Sequence, residues 1–142
     1  MKIRELMSTP VVRIHPEESV AVAARTLTHY NIGILPVCGS DGRVCGLVTD
    51  RDIVTRCLAT GHRPEDTPVR AIMTNTVISA RPDMDVTAAA SLMARRQVRR
   101  LPVVESGKLC GMISLGDLSR NEDTAPDAAD ALAEITGNVA DR

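Results

Sequence analysis

The chain contains no tryptophan, no phenylalanine and one tyrosine, Tyr30, in 142 residues. Stacking platforms of the kind single-strand nucleic-acid binders rely on are therefore missing. Any core must be packed from Val, Ile, Leu, Met and Ala. Neither charge sign dominates: 17 Lys and Arg against 18 Asp and Glu leave a net charge of -1, and the pI is near 6.3. This balance weighs against nucleic acid as a partner, since such domains are usually strongly basic. No apolar run approaches the ~18 residues needed to span a bilayer, and Met1-Lys2-Ile3-Arg4-Glu5-Leu6 has no signal-peptide stretch. No membrane association and a cytoplasmic location are expected. The four cysteines, Cys38, Cys45, Cys57 and Cys110, form no C-x-x-C pair and stand at no zinc-finger spacing from a histidine. They read as small buried thiols in a reducing compartment without disulfides, with a redox role left open.

Catalytic signatures are missing as well. There is no H-E-x-x-H, no G-x-x-x-x-G-K-[ST] and no G-x-G-x-x-G after a strand. His15, His29 and His62 are scattered, with no partner at useful spacing. No catalytic residue, no metal site and no required cofactor is expected, so the chain reads as a non-enzyme.

What is present is a repeat. At an offset of 66, Met7 falls on Met73, Val11-Val12 on Val77-Ile78, Ala23-Ala24 on Ala89-Ala90, and Leu35-Pro36-Val37 on Leu101-Pro102-Val103. After the loss of one turn residue, Cys45-Gly46 falls on Cys110-Gly111 and Asp52 on Asp117. Each copy reads as a short helical turn, a short strand around Val11-Val12 or Val77-Ile78, an amphipathic helix, two strands joined by a turn, and a second helix near Asp50 or Leu115. Ser19 and Asp85 stand at the N-cap positions of the two amphipathic helices, which run to about Tyr30 and Arg96. The boundaries are residues 1–60 for the first repeat, 61–68 for a Gly- and Pro-marked linker and 69–121 for the second repeat. Residues 122–142 form an acidic tail with a helix for which Gly137 is the expected stop.

The most informative matched segments are Gly46-Leu47-Val48-Thr49-Asp50-Arg51-Asp52 and Gly111-Met112-Ile113-Ser114-Leu115-Gly116-Asp117. In each, an apolar strand ends at a hydroxyl residue and a carboxylate follows three positions later. The pattern has two readings: a capping box, in which the pair ties down its own helix start, or an anion and sugar site at that helix start. The glycine permits close approach of a backbone or a ligand. Arg99-Arg100, before Leu101-Pro102-Val103, offers guanidinium forks for phosphate. Arg95 and Arg96 read as a solvated basic face.

Taken together, these residues resemble a tandem pair of CBS domains, a Bateman module of the stand-alone prokaryotic type, over residues 3 to 120. The resemblance implies an α+β fold of two β-α-β-β-α repeats packed about a pseudo-twofold axis. It implies a regulatory module in which adenosine-containing ligands (AMP, ADP, ATP, NAD or S-adenosylmethionine) bind in clefts between the repeats. Asp52 and Asp117 would hold ribose hydroxyls, and Thr49 and Ser114 a phosphate or ribose oxygen. The Asp52 cleft would borrow Val98, Arg99, Arg100 and Ile78. The Asp117 cleft would borrow Ile32, Gly33, Ile34 and Val12. Since Ile32-Gly33-Ile34 carries no cation, the resemblance implies unequal sites, with the more charged ligand in the Asp52 cleft. It also implies a homodimer and a regulated protein partner. The alternatives are a ligand-free structural or partner-binding module, or a weak nucleic-acid binder using the Arg95 to Arg100 patch.

Overall fold

The computed structural model describes residues 1–140. Helices and small antiparallel sheets alternate as an α+β protein, in two compact units. One unit is Val12–Val77; the other joins Met1–Val11 to Ile78–Arg142. They are called here the Asp52 unit and the Asp117 unit. The leading turn of each repeat thus belongs to the unit that carries the sheet of the other repeat.

The Asp52 unit is built on α1 (Val20–Tyr30), β1 (Ile34–Cys38), β2 (Val44–Thr49) and α2 (Asp50–Asp52), which runs into a π-helical turn over Ile53–Leu58. Ser19 caps α1 through its side chain, which accepts from the Val22 N–H, and Asn31 closes the helix in the left-handed region at φ 52°. Val20, Ala23 and Leu27 fall on one face and are buried against Leu35, Val37 and Val48. The residues read as linker are tied down rather than loose. Pro64–Asp66 forms a 3-10 turn, Thr67 is buried, and its carbonyl accepts from the Val20 N–H at 2.8 Å.

The Asp117 unit repeats this plan with α3 (Val86–Arg96), β3 (Arg100–Glu105), β4 (Lys108–Ser114) and α4 (Leu115–Ser119). The β3–β4 turn is a two-residue loop with Ser106 and Gly107 both at positive φ, the conformation a tight hairpin turn requires. Met93, Leu101, Ile113 and Leu118 are fully buried in its core. Each fully buried aliphatic side chain of this kind contributes about 1.5–3 kcal/mol.

Four expectations are corrected. The strands around Val11-Val12 and Val77-Ile78 shrink to single parallel bridges, Ile14 to Val37 and Ala80 to Val103. The outer edges of β2 and β4 are met by Thr74 and Ser8, also through single bridges. Each hairpin is therefore closed on both sides by very short contacts, which blunts its edges. Asp85 stands at the start of α3 but makes no side-chain cap; its carboxylate lies 3.7 Å from the Met1 amino group. Gly137 does not stop the tail helix, because α5 spans Ala125–Ala140. A glycine inside a helix costs only about 1 kcal/mol, and Ala128, Ala131 and Ile135, buried with the core of this unit, hold α5 in place. Finally, not every thiol is buried: Cys38 and Cys57 are, but Cys45 is exposed and Cys110 half-buried.

Candidate functional site

In the Asp52 unit the strand–helix junction is a complete capping box. The Asp52 N–H donates to Thr49 Oγ1 at 3.1 Å, and the Thr49 N–H donates to Asp52 Oδ2 at 3.1 Å. The carboxylate is buried at 7% exposure, yet it has further partners. The Thr74 hydroxyl donates to it at 3.3–3.4 Å, and Arg56 Nε lies 3.7 Å from Oδ1. Arg56 Nη1 also donates to the carbonyls of Ile72 and Met73.

The Asp117 unit reproduces the box. The Asp117 N–H donates to Ser114 Oγ at 3.1 Å, and the Ser114 N–H donates to Asp117 Oδ2 at 2.9 Å. Here Oδ1 is held by the Arg120 guanidinium. The capping reading is thus satisfied twice, with one carboxylate oxygen committed to the backbone and the other facing a side chain. Both arginines are exposed on their outer faces, at 52% and 71%. Each pair joins an exposed guanidinium to a buried carboxylate, so a ligand hydroxyl that replaces the arginine has to supply the hydrogen bond it gives up. Each hydroxyl oxygen accepts from its aspartate N–H and keeps its own proton to donate.

Arg56, Thr74 and Arg120 were not anticipated as part of these centres. The signal for the arginines lay in their spacing, four residues after Asp52 and three after Asp117, which puts them on the same helical face. Thr74 had no local signal, because a bridge distant in sequence delivers it.

The strand glycines have a simple explanation. A Cβ on Gly46 would stand 2.7 Å from Met73 Sδ and 2.8 Å from the Thr74 carbonyl oxygen. One on Gly111 would stand 2.6 Å from Met7 Sδ. The close approach is made by the leading turn of the chain itself.

Other residues named from the sequence fall as follows. Arg100 is the register partner of Ser114, and the Arg99 carbonyl accepts from the Leu115 N–H at 3.0 Å. Both arginines are exposed, and they belong to the Asp117 unit. In the Asp52 unit the matching partner of Thr49 is Ile34, and the Gly33 carbonyl accepts from the Asp50 N–H. Val12 and Ile32 pack on the core of the Asp52 unit. Ile78 and Val98 pack on that of the Asp117 unit. Arg99, Arg100 and Ser114 also line one cavity of about 550 Å³, whose far wall is α5.

The histidines make surface contacts: His15 with Ser40 and the Glu17 N–H, His62 with Thr60, and His29 edge-on to Tyr30. Among the described residues no three His, Cys, Asp or Glu side chains gather as metal ligands, and no helix is long and apolar enough to cross a membrane. Burial pushes the thiols of Cys38, Cys45 and Cys110 above the ordinary cysteine value, which makes them poor nucleophiles near neutrality.

The CBS domain model matches residues 3–59 and 69–124. CBS domain-containing protein YhcV of Bacillus subtilis is 37% identical over 134 residues, covering 94% of each chain. The crystal structure of Hypoxic Response Protein I, described with two coordinated zinc ions, superposes with a TM-score of 0.79 at 30% identity. That match covers 85% of this chain and 98% of the other. The CBS domain pair of protein MJ0100, solved in complex with 5'-methylthioadenosine and S-adenosyl-L-methionine, gives a TM-score of 0.74 at 29% identity over 84% of this chain and 94% of that one.

Proposed function

Because the chain belongs to the CBS-domain family, as a tandem pair of repeats, we propose that it is a non-catalytic regulatory module that binds an adenosine-containing ligand through Asp52 and Asp117. The observation that carries this reading is the twice-built junction. An alcohol with a proton to give and a buried carboxylate stand side by side, and the outer oxygen of the acid meets side chains, Arg56 and Thr74 at Asp52 and Arg120 at Asp117, rather than backbone. Vicinal ribose hydroxyls are donors that suit that oxygen, and the Thr49 or Ser114 hydroxyl can donate to a phosphate or ribose oxygen. The adenosine compounds in the MJ0100 domain pair support the ligand class. AMP, ADP, ATP, NAD and S-adenosylmethionine are the candidates, and the effect on a partner would pass through a homodimer.

Ligand that binds only the folded state raises the melting temperature by mass action. A thermal scan with saturating AMP, ATP, NAD or S-adenosylmethionine should show a rise for at least one of them. The rise should shrink in the Asp52→Asn/Asp117→Asn variant. No rise with any of the four would leave a structural module in place of a sensor.

A further inference from the structure

We propose, resting on Asp52 as the ribose-binding acid, that its carboxylate is contested between the ligand and a distant turn of the chain. That turn, residues 69–74, opens the second repeat and holds the acid through Thr74 and Arg56. Ligand at Asp52 loosens it. The Thr74 hydroxyl donates to Asp52 Oδ1 and Oδ2 at 3.4 and 3.3 Å. Arg56 Nε stands 3.7 Å from Oδ1, while its Nη1 donates to the Met73 and Ile72 carbonyls at 3.3 and 3.5 Å. One guanidinium thus spans the acid and the end of the turn.

The acid is buried, so its charge has to be met by donors rather than by bulk water. A carboxylate offers about four acceptor positions. The Thr49 N–H occupies one on Oδ2, and Thr74 and Arg56 meet the rest. Vicinal ribose hydroxyls arriving here need the same lone pairs. Once they donate to the acid, its charge no longer holds Thr74 and Arg56, and the turn keeps only its backbone bonds, such as the pair between Thr74 and Leu47 at 2.8 and 2.9 Å. Coupling of this kind is reciprocal: whatever loosens the turn tightens the ligand.

The repeat supplies an internal control. In the Asp117 unit Ser8 bridges Met112 as Thr74 bridges Leu47. Among the described residues, however, the Ser8 hydroxyl makes no hydrogen bond to Asp117, and Arg120 reaches the acid but no carbonyl of the turn ending at Met7. The helices differ too. Arg56 rides on the π-helical turn over Ile53–Leu58, whereas Arg120 follows the α-helical α4; π-turns are rare and frequently mark functional segments. Asp117 is held by its own helix, and Asp52 is wired to a turn distant in sequence. Beyond Thr74 the chain runs on to Ile78, where it enters the Asp117 unit. The loosened turn therefore lies on the covalent path from one unit to the other.

Amide hydrogen exchange of the full chain, followed by NMR, tests the competition. The reporters are the amides of Ile72, Met73 and Thr74, with that of Cys38, bonded to the Ile14 carbonyl, as the reference for global opening. Without ligand, Thr74→Val and Arg56→Gln should each speed exchange at the reporters roughly fivefold or more and leave Cys38 unchanged. Arg120→Gln should leave Leu6, Met7 and Ser8 unchanged. Saturating AMP should speed the reporters in the native chain by a factor of about 5–150. Thr74→Val, its turn already loosened, should bind AMP more tightly by up to that same factor. AMP that shifts the Asp52 amide but leaves the reporters unchanged would overturn the competition while the ligand reading stands. No response at Asp52 to AMP or S-adenosylmethionine would overturn both, although faster exchange in the two variants would still show the tie. Unchanged exchange in both variants would remove the tie itself.

Discussion

Met7 lies on Gly111 as Met73 lies on Gly46, each sulfur where a side chain on the glycine would have to go. The two contacts are equivalent in the repeat but not in what else crowds the site. Above Gly46 the Thr74 carbonyl oxygen would be 2.8 Å from an added Cβ, whereas the nearest backbone atom at Gly111, the Ser8 carbonyl oxygen, would be at 3.3 Å.

A methionine can move aside, whereas the Thr74 carbonyl accepts from the Leu47 N–H at 2.9 Å and cannot move without losing that bond. Gly46→Ala should therefore destabilise more than Gly111→Ala, within the range of about 1–3 kcal/mol for overpacking. Adding Met7→Ala should recover part of the Gly111→Ala loss. Adding Met73→Ala should not rescue Gly46→Ala. Urea unfolding of the four variants checks the order, and equal losses with equal rescue would refute it.

The tail helix is held by a narrow set of contacts. Ile135 is buried at 4% exposure in the core of the Asp117 unit, while Leu132 is 40% exposed. Ile135→Ala should cost about 2 kcal/mol or more through lost burial and the space left behind. Leu132→Ala should stay near 0.5 kcal/mol, as expected of a surface change. Denaturation midpoints measure both, and a larger effect at Leu132 would show that α5 packs on its other face.

The thiols make a pH prediction. Burial raises Cys38, Cys45 and Cys110 above the usual value. A group whose folded pKa is raised contributes stability that is intact below its unfolded pKa, about 8.5 for cysteine, and loses it as pH rises through the higher folded value. Stability should thus decline on going alkaline of about pH 8.5, and the decline should lessen in a Cys38→Ala/Cys110→Ala variant. Alkylation at neutral pH should reach the exposed Cys45 before Cys110, with Cys38 and Cys57 modified only on unfolding. Peptide mapping after timed iodoacetamide treatment gives the order.

The repeat, both hairpins, both long helices and the two hydroxyl–carboxylate junctions were legible in the sequence, because each rests on local periodicity, turn chemistry or a cap. Membership of the units was not. That Met1–Val11 joins the second repeat and residues 61–77 the first depends on long-range bridges at Ser8 and Thr74, which leave only a glycine in the facing strand as a trace. The short strand expected at Val11-Val12 became a one-residue bridge at Ile14, since β-branched residues favour extended backbone whether or not a ladder forms. The tail helix was visible, but its role as the wall of a cavity was not, because an alanine face reads the same whether it meets a core or a recess. The junctions showed the sharpest ambiguity. One spacing serves both cap and ligand site, and here the cap is made while one carboxylate oxygen stays within reach of a displacing group.

The most direct measurement is a crystal structure grown with AMP or S-adenosylmethionine. The account predicts an adenosine whose ribose hydroxyls lie within hydrogen-bond distance of the Asp52 or Asp117 carboxylate, with Arg56 or Arg120 turned away. Both carboxylates still bonded only to the side chains and backbone they hold in the free protein, at saturating concentrations of either compound, would contradict it.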